Sequence, residues 1–151
     1  MTVSLQHVRV RDAMHQGIFC CAGDTPVGEV AEIMATHRVH AVAVVDGRAG
    51  APSAVVTDLD IVAAMAGGEA RTAGQAAVTR PPSVSVDDRL DRAAQLMARH
   101  RVSHLIVTDA AHGHPIGILS TLDLAAVYAA ARATDTSATD TSATDTKEGS
   151  P

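Results

Sequence analysis

An internal repeat constrains this chain more than any other feature. Thr57-Asp58-Leu59-Asp60 returns as Ser120-Thr121-Leu122-Asp123, an offset of 63 residues. The same offset carries His37-Arg38-Val39 onto His100-Arg101-Val102, Met34-Ala35 onto Met97-Ala98, Asp24 onto Asp87, Asp46 onto Asp109 and Pro52 onto Pro115. The register holds without a gap from Asp12 to Gly67, which means one supersecondary unit used twice. A unit of roughly 60 residues buries too little surface to be comfortable alone, so the two copies are expected to share a core.

Within each copy the apolar pattern sets the element order. Residues 10–14 suit a single helical turn and residues 18–21 a short extended run. Asp24-Thr25-Pro26 reads as a helix start, the Asp capping and the Pro at the first helical position. Val27, Val30, Ala31 and Met34 then share one face, with Glu29 and Glu32 opposite, and the helix should stop near His37-Arg38. Residues 41–45 read as a buried strand, 46–52 as a loop, 54–56 as a paired strand and 58–66 as a closing helix. The second copy repeats the plan, with Leu90, Ala93, Ala94 and Met97 as the helix stripe, strands at 105–107 and 116–119, and a helix over 121–132. The connection, residues 67–71, is short and Gly-rich, so the copies should pack rather than swing. From Thr134 the chain becomes Thr-Asp-Thr-Ser-Ala repeated, which reads as a disordered acidic tail over 134–151.

Composition excludes several functions. Aromatic residues make up 1% of the chain, Phe19 and Tyr128, so the platforms that stack single-stranded nucleic acid are missing. Net charge is −5, with Asp135, Asp140, Asp145 and Glu148 in the tail against Lys147, and no basic field points to nucleic acid or an anionic membrane. No apolar run reaches the roughly 18 residues of a membrane span, and the first residues lack a signal-peptide pattern, so a cytoplasmic location is expected. Cys20 and Cys21 are adjacent, where bridging is rare, and are read as small buried hydrophobes.

Thr57-x-x-Asp60 and Ser120-x-x-Asp123 have two readings. Each is a capping-box-like arrangement that satisfies free donors at a helix start. Each also follows a β run, where exposed N–H groups favour phosphate and an Asp one turn in can accept both hydroxyls of a ribose. Of the eight histidines, His37 and His100 fall at helix ends, where an imidazole complements the dipole. His112-Gly113-His114 offers two nitrogens without a Cys or carboxylate cluster, so a solvated loop is favoured over a metal site. No nucleophile elbow, Walker loop or His-Glu-x-x-His is present, and no enzymatic activity is expected.

The order of elements, closing with Gly117-Ile118-Leu119-Ser120-Thr121-Leu122-Asp123-Leu124, resembles the CBS domain, and the tandem arrangement resembles a CBS pair, or Bateman module. His100-Arg101-Val102-Ser103-His104-Leu105-Ile106-Val107 and the lead-in Val8-Arg9-Val10-Arg11-Asp12-Ala13-Met14 fit the same pattern, while Ala54 departs from it where the second copy has Gly117. An added methyl there matters only where the backbone approaches a ligand closely. The resemblance, over roughly residues 8–130, implies an α+β fold: two β-α-β-β-α repeats, 8–67 and 73–132, related by a pseudo-twofold axis and packed as one module.

It also implies two clefts suited to adenosine derivatives such as AMP, ADP, ATP or S-adenosylmethionine, with no cofactor required. The first would use Ile18, Phe19, Val39, His40, His104, Ile118, Ser120 and Asp123. The second, weaker for phosphate because Ala41 stands where His104 does, would use Val55, Thr57, Asp60, Pro81, Pro82, Val102 and Ser103. The expectation is a stand-alone regulatory module that binds an adenosine-type ligand and signals through dimer geometry or a partner protein. The Ala-rich helices, 59–66 and 122–131, would form the homodimer. Two alternatives stand beside it: a ligand-independent interaction protein whose Ser/Thr-x-x-Asp sets only cap helices, and a metal-responsive module.

Overall fold

The computed structural model describes residues 5–46, 52–77 and 81–140, apart from the side chains of 137–140. The first half contains α1 (Val10–Ala13), β1 (His15–Gln16), β2 (Cys20–Cys21), α2 (Val27–His37), β3 (Ala41–Val45), β4 (Pro52–Thr57) and α3 (Asp58–Met65). The second contains α4 (Ala73–Ala76), β5 (Ser83–Ser85), α5 (Leu90–His100), β6 (His104–Thr108), β7 (Pro115–Ser120) and α6 (Thr121–Asp140). Two sheets result, in the orders β2-β3-β4 and β1-β7-β6-β5. The hairpins keep the repeat register, Ala41 opposite Thr57 and His104 opposite Ser120.

Strand alternation explains how the halves join. On β3, Val42 and Val44 face their own helices, in a core with Val30, Met34, Val56 and Ile61. Ala41 and Ala43 face the other way, and with Val55 they pack against Ile106 of the second sheet, flanked by Ile18 and Ile118. Small side chains on one sheet and a bulky one on the other bring the sheets together over a third apolar cluster. On β6, Leu105 and Val107 face their own core while Ile106 faces the neighbouring half, and His104 shares the face of Ile106.

The lead-in turns are exchanged between halves. Val10 of α1 is fully buried in the core of the second half, beside Val84, Leu90 and Leu119. Ala73 and Ala76 of α4 complete the core of the first. The exchange also corrects the expected cap at Asp24. Pro26 is the N-cap of α2 and makes no side-chain cap; instead Val27 N donates to Arg71 O at 3.0 Å, and Leu90 N of α5 donates to Val8 O at 2.9 Å. The chain that precedes one half thus satisfies the helix start of the other. Both helices end on an arginine in left-handed conformation, Arg38 at φ 54° and Arg101 at φ 53°.

Other departures have local causes. Of the extended run at 18–21 only Cys20–Cys21 forms a strand, and β1 joins the second half's sheet, with Gly17 at φ 89° turning the chain between the two. Cys20 is exposed rather than buried, because β2 is an edge strand whose alternate faces put only Cys21 against the core. The turn α4 lies 63 residues after α1, as the repeated plan implies, and Thr72 and Gln75 form a capping box there. Helix α6 runs past residue 132 to Asp140, carrying part of the expected tail; the Ala-rich stretch propagates it, and Thr134 and Thr136 hydroxyls donate back to Ala131 and Arg132 carbonyls. Residues 141–151 lie outside the described residues. Among the described residues no helix is long and apolar enough to cross a membrane.

Candidate functional site

A cavity of about 620 Å³ opens where the halves meet. Each half contributes its matching corner. From the first come the turn after α2 (Arg38, Val39, His40, Ala41) and Asp58 at the start of α3. From the second come Ser103 and His104 at the start of β6, Ile118 and Ser120 of β7, and Thr121, Leu122 and Asp123 in the first turn of α6. The lead-in segment, with His15, Gln16, Gly17 and Phe19, bridges the two sheets and closes one side. The left-handed ends at Arg38 and Arg101 reverse the chain so that the following strand starts at the cleft.

Asp123 is the buried acid of this site, with 9% of its surface exposed. Its Oδ2 accepts from Ser120 N at 2.7 Å and Ser120 Oγ at 2.8 Å, and Asp123 N donates to Ser120 Oγ at 3.2 Å, a reciprocal cap. Its Oδ1 lies 3.1 Å from His15 Nδ1 on the bridging segment. The matching Asp60 caps in the same way, accepting from Thr57 N at 2.8 Å and Thr57 Oγ1 at 2.9 Å.

Two further imidazoles face the cavity. His40 Nδ1 lies 2.8 Å from Asp58 Oδ2, and His104 Nδ1 lies 2.8 Å from Ser103 Oγ. Burial pushes the His104 pKa below its ordinary value, opposed by the charges of Asp58 and Asp123 and assisted by His40. His104 is therefore mainly neutral at pH 7, a hydrogen-bonding group more than a charge. Phe19, stacked on His37 with centroids 4.2 Å apart, forms an apolar wall with Val39, Ala41 and Ile118. The lining thus combines an apolar surface with hydrogen-bond donors and acceptors and the N-terminus of α6.

Most of the first expected set comes together here: Phe19, Val39, His40, His104, Ile118, Ser120 and Asp123 all line the cavity. Ile18 does not. The turn at Gly17 directs it inward, against Ala41, Ala43, Val55 and Ile106. The second set is not gathered into this cavity except for Ser103, which joins the first set. Val55 is buried between the sheets, Thr57 and Asp60 are engaged with each other, and Pro81 and Pro82 are half-buried. Val102 borders a separate apolar recess of about 280 Å³ between α5 and α6. The residues 63 positions after His15, Gln16 and Gly17 are 78–80, which lie outside the described residues.

Sequence reasoning missed His15, Arg38, Asp58 and Thr121. The repeat itself pointed to three of them, since Arg38 belongs to the repeated His-Arg-Val and Asp58 and Thr121 sit inside the repeated tetrapeptide. His15 carried no such signal. His112 and His114 lie exposed on the hairpin turn, their rings 5.6 Å apart, and Asp109 Oδ1 holds that turn by accepting from His112 N and Gly113 N. Among the described residues no group of three or more His, Cys, Asp or Glu side chains is arranged to hold a metal ion.

The CBS domain profile matches residues 10–67 and again 73–130, and the chain belongs to the CBS domain family, with two such domains forming a pair. Solved CBS proteins share the fold. The CBS pair of protein MJ0100, in complex with 5′-methylthioadenosine and S-adenosyl-L-methionine, is 20% identical with a TM-score of 0.73, covering 82% of this chain and 97% of that one. The CBS domain protein PAE2072 from Pyrobaculum aerophilum, complexed with AMP, is 28% identical with a TM-score of 0.69, covering 78% and 90%. Hypoxic Response Protein I, with two coordinated zinc ions, is 24% identical with a TM-score of 0.61, covering 78% and 97%. No curated protein sequence matches the chain.

Proposed function

We propose that this protein is a regulatory module that binds an adenosine-type ligand in the cleft between its CBS domains. It signals through the geometry of a homodimer or through a partner protein, and performs no chemistry of its own. Asp123 carries the reading: a buried carboxylate with one oxygen anchored by its own helix start and the other turned toward the bridging segment of the cleft. A ribose diol donating to that second oxygen forms charge-assisted bonds. The apolar wall of Phe19, Val39 and Ile118 receives the base, and Arg38, His40, His104 and the start of α6 offer donors to a phosphate. The AMP complex of the Pyrobaculum protein supports an adenosine-type ligand.

The homodimer reading rests on exposed apolar side chains. Leu59, Val62 and Met65 of α3 and Leu122 and Tyr128 of α6 account for five of the seven large exposed hydrophobics among the described residues. A second reading is favoured by the caps themselves. Both Ser/Thr-x-x-Asp sets form reciprocal caps at their helix starts, as a ligand-independent interaction protein would need. Thermal melts with AMP, ADP, ATP, methylthioadenosine and S-adenosylmethionine separate the two. At a hundredfold its dissociation constant a ligand adds about 2.7 kcal/mol of stability. No shift with any of the five would leave the interaction protein.

A further inference from the structure

We propose that His15 makes the cleft selective for phosphorylated nucleosides over unphosphorylated ones. This rests on the reading of Asp123 as the ribose-binding carboxylate. Both oxygens of Asp123 are engaged: Oδ2 accepts twice from Ser120, and Oδ1 lies 3.1 Å from His15 Nδ1. The Ser120 bonds belong to one helix turn and survive when a ligand arrives. His15 is the partner that yields, because its side chain is 79% exposed and sits on a strand of only two residues.

A diol that donates to Oδ1 competes with the imidazole for that oxygen. For a neutral nucleoside the exchange replaces one set of bonds by another, and the displacement subtracts from affinity. A phosphate brings a new anion to the same cavity, and the released imidazole can donate to it through a charge-assisted bond. A sulfonium-bearing adenosine brings a cation instead. His15 therefore opposes one class of ligand and favours another, which is how specificity arises from a difference of affinities.

The charges around His15 make its release count. Asp58 and Asp123 face the cavity and repel an arriving anion, against Arg38 as the one permanent cation among the described residues that line it. The partner of Asp58 is His40, at 2.8 Å, which the diol does not displace. Among the described residues that line the cavity, the His15 pair is the one whose carboxylate oxygen the diol approaches.

Titration calorimetry with AMP and with adenosine tests this on the full chain and on His15→Ala. The intact protein is expected to prefer AMP by about tenfold, equivalent to about 1.4 kcal/mol. In His15→Ala the preference should fall at least several-fold, with adenosine gaining and AMP losing affinity. Should His15→Ala not fold, His15→Leu keeps side-chain bulk on β1 and serves in its place. An unchanged preference in a folded variant, or an intact protein that favours adenosine, overturns the selectivity role while leaving Asp123 as the ribose site. Binding of neither ligand to the intact protein overturns the functional reading itself, and this proposal with it.

Discussion

Gly117 lies against the carbonyl oxygen of His15, so close that a β-carbon at Gly117 would overlap it and the Cε of Met14. The pairing of His15 with Ile118 and Gln16 with Gly117 holds the two strands in this register. The absent side chain is thus needed by the bridging strand, which the missing methyl admits to the sheet. Ala54, the counterpart in the first copy, shows that the repeat does not demand glycine as such.

Substituting Gly117→Ala is accordingly expected to destabilise the protein by about 1–3 kcal/mol, the usual cost of overpacking, because backbone rather than a flexible side-chain end must move. Displacing β1 also moves His15, so AMP affinity should fall with it. Urea denaturation and calorimetry check both effects. Ala54→Gly should cost no more than about 1 kcal/mol, the conformational penalty of glycine in a strand. Equal effects at the two positions would contradict the close approach.

Asp60 and Asp123 cap their helices alike, yet only Asp123 lines the cavity. Each Asp→Ala variant should lose about 0.5–2 kcal/mol as a helix cap is removed. The two should part when AMP is added. Asp60→Ala should keep the ligand-induced rise in melting temperature, and Asp123→Ala should lose it. A rise retained in both would leave capping as the sole role of the motif.

The sequence made the halves legible and the connections between them much less so. Alternating Val and Ala on β3, the stripe through Val27, Val30 and Met34, and the repeated tetrapeptide each depend on residues near one another in the chain, so periodicity reveals them. The exchange of α1 and α4 depends on contacts of Val10 with Val84 and Leu90, to which local pattern is blind. The same holds at the site. Asp123 could be found from the repeat, and His40 and His104 from the resemblance to a CBS pair, whereas His15 reaches Asp123 only because β1 crosses to the other sheet. Ile18 packs between the sheets for the same reason, since the turn at Gly17 sets which of two neighbouring residues lines the cleft.

Burial lowers the pKa of His104 in the folded protein. On acidification the unfolded chain takes up this proton near pH 6.5, while the folded chain resists it until a lower pH. The contribution of His104 to stability is therefore complete above about pH 6.5 and is lost as pH falls toward the depressed folded value. Urea midpoints at pH 7.5 and 5.5 should differ less in His104→Gln than in the unaltered protein. An identical pH slope in both would show that His104 ionises as freely in the folded chain as in the unfolded one.

Leu59 and Met65 project from α3 with 72% and 80% of their surfaces exposed, and neither lines the cavity. They serve neither the core nor the cleft, so a change of polarity there should leave the fold of one copy intact. In a dimer formed through α3 and α6 they would be buried, and a carboxylate in their place would have to be desolvated without a partner, at a cost of several kcal/mol. Leu59→Glu/Met65→Glu is therefore expected to sediment as a monomer at concentrations where the unaltered chain is a dimer, with the same circular dichroism spectrum. Retention of AMP binding by this variant would locate the ligand site within one copy. A dimer that survives both substitutions would move the interface elsewhere, and an unaltered chain that is monomeric throughout would end the proposal that these helices pair.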